Sequence, residues 1–388
     1  LFESSAENLV AGQVDVNLAT DVFLRDRATG TNLLVSHAAG ESSTSGVYES
    51  SSSALSADGR YVAFVSSATD LVTTATSRPI EDPEPGEIPF YSNVFLFDRI
   101  TGSTEMVSRS AVSPDFSANG SSTAPSLSAD GRYLAFVSSA TDLVANFADA
   151  NGPSLGDVFL YDRVLRTITL VSWSSTRRSR TGNDGSLNPV MSADGKYVSY
   201  ESASSDLVPG QSPTTHVSFS ENVFLYDRVS STNRLVSHIF GSQTEGGSDW
   251  SLGKASLSAD GRFVAFSSLG RDIAETLDPE LLENFFLYDR LTGAVTLAGG
   301  SGRIEQSPPT LSADGRWLAF VGNDPLTPTY TNLGQVYLFD RISATTTLLT
   351  PSALLPDEAG QGGSEKLSIS GDGQSIAFAS RATDLVPD

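Results

Sequence analysis

Two short strings in this chain gather oxygen donors at the spacing that a calcium loop uses. Asp149-Ala150-Asn151-Gly152 is followed by Asp157, and Asp15-Val16-Asn17 is followed by Asp21. Calcium takes carboxylate and amide oxygens from alternate positions, with a glycine where the loop bends sharply. Neither string runs on into a twelve-residue loop closed by a glutamate. Asn and Asp at this spacing also form Asx turns with no metal. Calcium is thus the one cofactor the sequence suggests, held by Asp149, Asn151 and Asp157 or by Asp15, Asn17 and Asp21, against a plain turn reading. Two charge clusters could dock a partner. One is the acidic, proline-stiffened run of Glu81, Asp82, Glu84 and Glu87; the other is the basic trio Arg177, Arg178 and Arg180. Both also read as solvated loop tips. Trp173, Trp250, Tyr91 and Tyr330 lie on or beside loops, where they could stack on a glycan or pack on sheet edges.

Chemistry of the catalytic kind finds little support. The chain has no cysteine and three histidines, His37, His216 and His238. No nucleophile elbow, zinc-protease helix or phosphate-binding glycine loop occurs. No catalytic residue is assigned, and the expectation is a protein that is not an enzyme. A formal charge of −22 argues against nucleic acid and anionic membranes as partners. No apolar run approaches the roughly 18–20 residues of a membrane span. The absence of cysteine favours a periplasmic or extracellular setting.

The elements that position these residues come from an internal repeat. Asp-Gly pairs recur at 58–59, 130–131, 194–195, 260–261, 314–315 and 372–373, and Asp-Arg pairs at 26–27, 98–99, 162–163, 227–228, 289–290 and 340–341. A strand-rich repeat of this size points to a solenoid or a propeller. Each unit parses into four short strands, with a two-residue Asp-Gly hairpin between the first two, both residues at positive φ. The strands are apolar on both faces: Tyr61 and Ala63 oppose Val62 and Phe64. That pattern requires sheets stacked face to face. The Asp-Arg pairs are read as structural, because copies related by ring symmetry would face different ways. The aspartates of the S-A-T-D-L-V segment (Asp70, Asp142, Asp206, Asp272, Asp384) are read as turn formers.

The S-A-D-G-R-Y-V-A-F unit, followed by N-V-F-L-Y-D-R-x-T-G, resembles the TolB-like propeller repeat, a relative of the WD-repeat propellers, in its multi-copy bacterial secreted form. The resemblance covers essentially the whole chain. It implies an all-β, six-bladed β-propeller of four-stranded antiparallel blades, forming a single domain over residues 1–388. The ring would be closed by one blade stitched from both ends: Lys366–Ser370 and Ser375–Ser380 with Asp21–Arg25 and Asn32–Ser36. Residues 1–10 are then a surplus second strand, and a seven-bladed or truncated ring is the alternative. Because the repeat starts and stops in mid-unit, the expectation is a domain processed out of a longer chain. TolB-like propellers act as periplasmic protein-binding platforms. The resemblance therefore implies a non-catalytic scaffold or accessory subunit that docks a protein through its variable loops, with a calcium- or glycan-binding module as the second reading and a hydrolase or lyase as the third.

Overall fold

The computed structural model describes residues 1–80, 90–212, 221–275, 283–301, 308–322, 334–353 and 358–386. Strands and turns make up the described residues, and none is α-helical. The chain divides into two compact units, Leu1–Met191 and Ser192–Asp388.

The first unit holds a three-stranded sheet (Phe2–Ser4, Asp21–Asp26, Thr31–Leu34) and two four-stranded antiparallel blades, 50–106 and 122–170. A hairpin, Trp173–Ser174 with Arg177–Thr181, and the strand Ser186–Met191 follow. The second unit opens with the antiparallel run Tyr197–Ser202, Asn222–Asp227 and Thr232–Leu235. Two four-stranded blades, 251–301 and 310–348, come next, and then a two-stranded sheet of Ser364–Ile369 and Ile376–Ser380.

Burial explains why these strands form. Every residue of Tyr61–Ser66 is buried, as is every residue of Phe263–Ser268. Aromatic rings pair across the second and third strands of each blade: Phe64 on Phe95 at 5.6 Å, Phe136 on Phe159 at 5.9 Å, Phe266 on Phe286 at 5.3 Å. Such a pair adds about 1 kcal/mol to what area burial supplies.

Three expectations need correction. The edge of Asp21–Asp26 that the expected stitched blade would use is taken by Phe2–Ser4, in the register Phe2↔Phe23. Phe2 stacks on Phe23 at 5.6 Å, as Phe64 does on Phe95. Residues 1–10 repeat the second-strand motif and lie close by in sequence, so they claim the place. The strand Ile376–Ser380 pairs with Ser364–Ile369. The Asp-Gly turn is also not of the doubly positive type. Gly59 has φ +67° and Asp58 is not in the left-handed region. Instead Asp58 Oδ1 accepts from Ser56 Oγ (2.6 Å) and the Arg60 amide (3.0 Å), while the Ser56 hydroxyl oxygen accepts the Tyr61 N–H. Third, the S-A-T-D aspartates do more than turn the chain. Asp70, Asp142, Asp272 and Asp384 each accept the amide of a loop residue at 47, 119, 248 or 361, pinning one connection to another.

Arg166, Ser231 and Ala344, which replace glycine in the last turn of their units, do adopt φ of 52–55°.

Candidate functional site

At the Asp-Gly end, some charged residues brace their own blade and others join it to its neighbour. Arg60 forms a two-pronged pair with Asp98 (3.0 and 2.7 Å), and Arg132, Arg262 and Arg316 repeat it with Asp162, Asp289 and Asp340. These pairs hold Asp98 and Asp289 below the usual carboxylate range. Of the Asp-Arg arginines, Arg163, Arg290 and Arg341 reach the neighbouring blade. Arg163 donates Nε to the Gly131 carbonyl and lies 4.0 Å over the ring of Tyr61. Arg290 over Tyr197 and Arg341 over Phe263 repeat the arrangement at 4.2 Å. Backbone bonds link successive turns as well: Ala57 N–H to Ala129 carbonyl, Ala259 to Ala313, Ala313 to Gly371. This end of each blade is consumed by joints.

The opposite end carries the calcium candidates, and each string folds as an Asx turn. Asp149 Oδ1 accepts the amides of Asn151 (3.0 Å) and Gly152 (2.9 Å). Asp15 Oδ1 accepts those of Asn17 (3.1 Å) and Leu18 (2.9 Å). Behind each turn stands a carboxyl sealed from solvent. Asp157 is 4% exposed and Asp21 1%. Desolvation pushes Asp157 up to about 8 and Asp21 up to about 6, against the hydrogen bonds that Ser172 and Ser36 donate at 3.0 and 2.8 Å. Asn151 Nδ2 faces Asp157 at 3.4–3.5 Å and donates to the Asp184 carbonyl at 2.9 Å. Asp21 Oδ2 has no hydrogen-bond partner. Among the described residues, no three His, Asp or Glu side chains converge as a metal cluster. An ion here would rest on one carboxylate, a turned amide and backbone carbonyls.

The serine clasp behind Asp157 is general, and the sequence reading missed it. A hydroxyl two residues past the fourth strand donates to the first side chain of the third strand: Ser108 to Asn93, Ser237 to Asn222, Thr350 to Gln335. Its oxygen accepts the next amide of that strand, as Ser172 does from Val158 at 3.0 Å. Aligning the repeats shows the signal: Asp stands at 21 and 157 where 93, 222 and 284 carry Asn. One blade lacks the clasp. Gly299 replaces the serine, since a Cβ there would overlap Phe320, and both amide atoms of the buried Asn284 go unpaired. Truncation should therefore cost less at this site. We expect Asn284→Ala to destabilise the protein by about 1–2 kcal/mol less than Asn93→Ala in urea titrations, because only the latter breaks a formed bond.

The basic trio lies on the Trp173–Thr181 hairpin, where a loose loop was expected. Arg177, Arg178 and Arg180 are exposed. Arg178 sits 4.9 Å over Trp173, which is itself buried, and Arg177 Nε donates to Ser179 Oγ. Residue 148 bridges to Arg180, and the Ala150 amide donates to Thr181 Oγ1, so the hairpin and the Asp149 turn form one body. Glu81, Asp82, Glu84, Glu87, His216 and Tyr330 lie outside the described residues. Trp250 remains 44% exposed. His37 and His238 are structural, each bonded through Nδ1 to the next carbonyl and packed edge-on against Phe97 or Tyr288. A groove of about 780 Å³ runs between blades 50–106 and 122–170, crossed by the Tyr161 hydroxyl donating to Glu105 at 3.3 Å.

No protein-family model and no curated protein matches the chain. Solved structures do. An oligogalacturonate lyase in complex with manganese aligns over 93% of this chain and 79% of its own length, at 12% identity and a TM-score of 0.50. TolB from Acinetobacter baumannii aligns at 16% identity and a TM-score of 0.42, over 84% of this chain. The likeness is one of fold, an array of four-stranded antiparallel blades of the β-propeller kind. The chain spans 58% of the length of that TolB. The β-propeller domain of the Trilobed protease from Pyrococcus furiosus is also similar: 10% identity, 87% of this chain, 82% of that domain, TM-score 0.47. TolB thus stands beside lyase and protease propellers among the neighbours. Among the described residues, no helix is long and apolar enough to cross a membrane.

Proposed function

We propose that this TolB-like propeller is a non-catalytic binding module that docks a protein partner through the loops opposite its Asp-Gly turns. It would serve as a subunit of an assembly outside the cytoplasm. The observation that carries this reading is the division of labour within a blade. Charged side chains at the Asp-Gly end are spent on joints, whereas Arg177, Arg178 and Arg180 project from a braced hairpin with their guanidinium groups exposed. Arginine on a rigid element loses little entropy on binding, and planar, two-pronged contacts to carboxylates suit it. On a chain of charge −22 such a patch selects an acidic segment of the partner.

The test is purification from the source under mild conditions, with co-purifying chains identified by mass spectrometry. Stoichiometric recovery of another subunit is expected. Replacing Arg177, Arg178 and Arg180 together by alanine should abolish that recovery and leave the melting temperature within about 2 °C of the parent, since exposed charges contribute little stability. A lone monomer from the source would sink the docking reading.

Calcium binding is a second reading, favoured by the unpartnered Oδ2 of Asp21 and the sealed carboxyl of Asp157. An ion would be held by Asp21 with Asn17, or by Asp157 with Asn151 after rotation of its amide. It would stiffen the same loop end.

A further inference from the structure

The groove between blades 50–106 and 122–170 takes in no residue of the Trp173–Thr181 hairpin or of the calcium candidates. Its volume of about 780 Å³ falls inside the roughly 300–1,000 Å³ of ligand clefts. One wall is the whole fourth strand Ser103–Met106, and the other includes Tyr161, Ile168 and Leu143. Ser103–Met106 is the outermost strand of its blade and pairs with Asn93–Asp98 alone. The Val107 N–H bonds inward to the Val94 carbonyl at 2.8 Å. Antiparallel partners alternate between bonded and unbonded pairs. In the register Phe97↔Thr104 and Phe95↔Met106, Thr104 and Met106 therefore turn their backbone groups to the open edge. The Met106 carbonyl accepts Arg109 Nε at 3.0 Å. Among the described residues, the Thr104 N–H, the Thr104 carbonyl and the Met106 N–H have no partner. The Thr104 hydroxyl, sealed from solvent, has none either.

In the second unit a neighbour reaches such a strand. The Thr346 hydroxyl of blade 310–348 donates to the Ala298 carbonyl, on the fourth strand of blade 251–301, at 2.6 Å. The residue at the place of Thr346 in blade 122–170 is Ile168, which carries no donor. An edge with unpaired N–H and carbonyl groups is a template for another strand. Charge selects which strand. Five charged side chains line the groove: Asp98, Glu105, Arg109, Arg163 and Arg166. Asp98 is held by Arg60, and Arg163 lies across Tyr61. That leaves Glu105, which accepts the Tyr161 hydroxyl at 3.3 Å, against two guanidinium groups. Arg109 stands at the Met106 end, braced on Thr74. Arg166 is exposed in the turn before Thr167, at the Ser103 end, because both fourth strands start from their Asp-Arg turns. A chain of charge −22 thus keeps a positive group at each end of an open strand edge.

We propose that this groove takes an extended, acidic segment of a partner protein, which adds as a fifth strand to Ser103–Met106. The backbone of the segment accepts from the Thr104 and Met106 N–H groups and donates to the Thr104 carbonyl. Alternate side chains of the segment face blade 122–170, where a small one covers Ile168 beside Glu105. Acidic residues at its two ends reach Arg109 and Arg166. The site is separate from the Arg177–Thr181 hairpin and stands whether or not that hairpin docks a partner.

The probe is the pentapeptide Asp-Val-Thr-Val-Asp, amidated at its C-terminus and labelled with fluorescein at its N-terminus. It is titrated with the full chain at low salt and read by fluorescence anisotropy. Saturable binding with a Kd below about 1 mM is expected. Methylating the three central backbone nitrogens should weaken it at least about tenfold, because an added strand then loses its donors. Exchanging both aspartates for lysine should weaken it by a similar factor. Thr104→Pro removes an N–H that faces away from the sheet, a place where an edge strand tolerates proline. It should lower the affinity at least about tenfold with native circular dichroism. Replacing Arg177, Arg178 and Arg180 together by alanine should leave the affinity unchanged. No saturable binding by the parent overturns the proposal, as does equal binding of the methylated peptide or by a folded Thr104→Pro chain. Loss of binding in the triple-alanine variant puts the peptide on the hairpin and overturns it too. Should Thr104→Pro fail to fold, the methylated peptide decides in the parent chain.

Discussion

Asp157→Asn raises stability at pH 8.5 and flattens the pH dependence between pH 4 and pH 8. In the folded chain the Asp157 carboxyl keeps its proton up to about 8, whereas the unfolded chain releases it above the ordinary aspartate value of 3.8. Across that window the folded state binds more protons than the unfolded state, so stability falls as pH rises. The contribution of this carboxyl is fully present below pH 4 and is lost progressively up to about pH 8. A pKa difference of one between the two states is worth about 1.4 kcal/mol, and local opening that lets water reach the carboxylate reduces the total. An increase of about 3 kcal/mol at pH 8.5 is the expected size. Asparagine keeps the clasp, as Asn93 and Asn222 accept the same serine hydroxyl at 2.9 and 3.0 Å. Asp21, raised to about 6, adds a smaller effect of the same sign between pH 4 and pH 6. Urea titrations from pH 4.5 to 8.5, in EDTA and in calcium, read the outcome. A loss of stability at pH 8.5 in EDTA would contradict this account of Asp157. Stabilisation of the parent by calcium that vanishes in Asp157→Asn would establish the cation reading at this loop.

Gly131→Ala costs about 2–5 kcal/mol, while Gly59→Ala costs about 1–2 kcal/mol. Both glycines hold the same left-handed turn position, with φ +64° and +67°. A side chain in that region costs about 1–2 kcal/mol. The space around them differs. A Cβ at Gly59 meets nothing within 4 Å, whereas one at Gly131 overlaps the Cδ2 and Cγ of Tyr61. Tyr61 cannot yield, because it is 5% exposed, with the Arg60 and Arg163 guanidinium groups over its ring at 4.8 and 4.0 Å. Overpacking of this kind adds about 1–3 kcal/mol. The difference between the two variants, measured by guanidinium unfolding, isolates the blade joint from the turn. Equal costs would mean that the joint repacks freely. Gly261 against Tyr197 and Gly315 against Phe263 should behave as Gly131 does.

The sequence was legible where a residue acts within its own unit. Asp-Gly pairs marked the hairpins, and the two-sided apolar strands marked stacked sheets. It was opaque where partners sit one blade away. Tyr61 lies beneath Gly131, 70 residues on, and no local pattern announces that contact. The turn type was misread because the Gly59 N–H bonds the Ser56 carbonyl in a turn where only the glycine is left-handed, and the Ser56 and Asp58 side chains brace it. The place of residues 1–10 was not decided by the sequence, because their motif suits the same edge of Asp21–Asp26 as the C-terminal second strand does. At the candidate site the spacing of Asp149, Asn151 and Asp157 was visible. The burial of Asp157 was visible only through comparison with Asn93 and Asn222.

The belt of bonds at the Asp-Gly end has a consequence for how such a chain can grow. The turns at 58, 194 and 260 ask for the same few things from their successors: a carbonyl at the position of Ala129, a glycine with no side chain and an arginine to lie across an aromatic ring. A duplicated blade brings all of them with it, so inserting one leaves no donor stranded and no ring uncovered. Length can therefore change by whole repeats through recombination, without compensating mutations. The loops at the other end take no part in that contract and are free to diverge, which is where one copy can come to differ from the next in what it recognises.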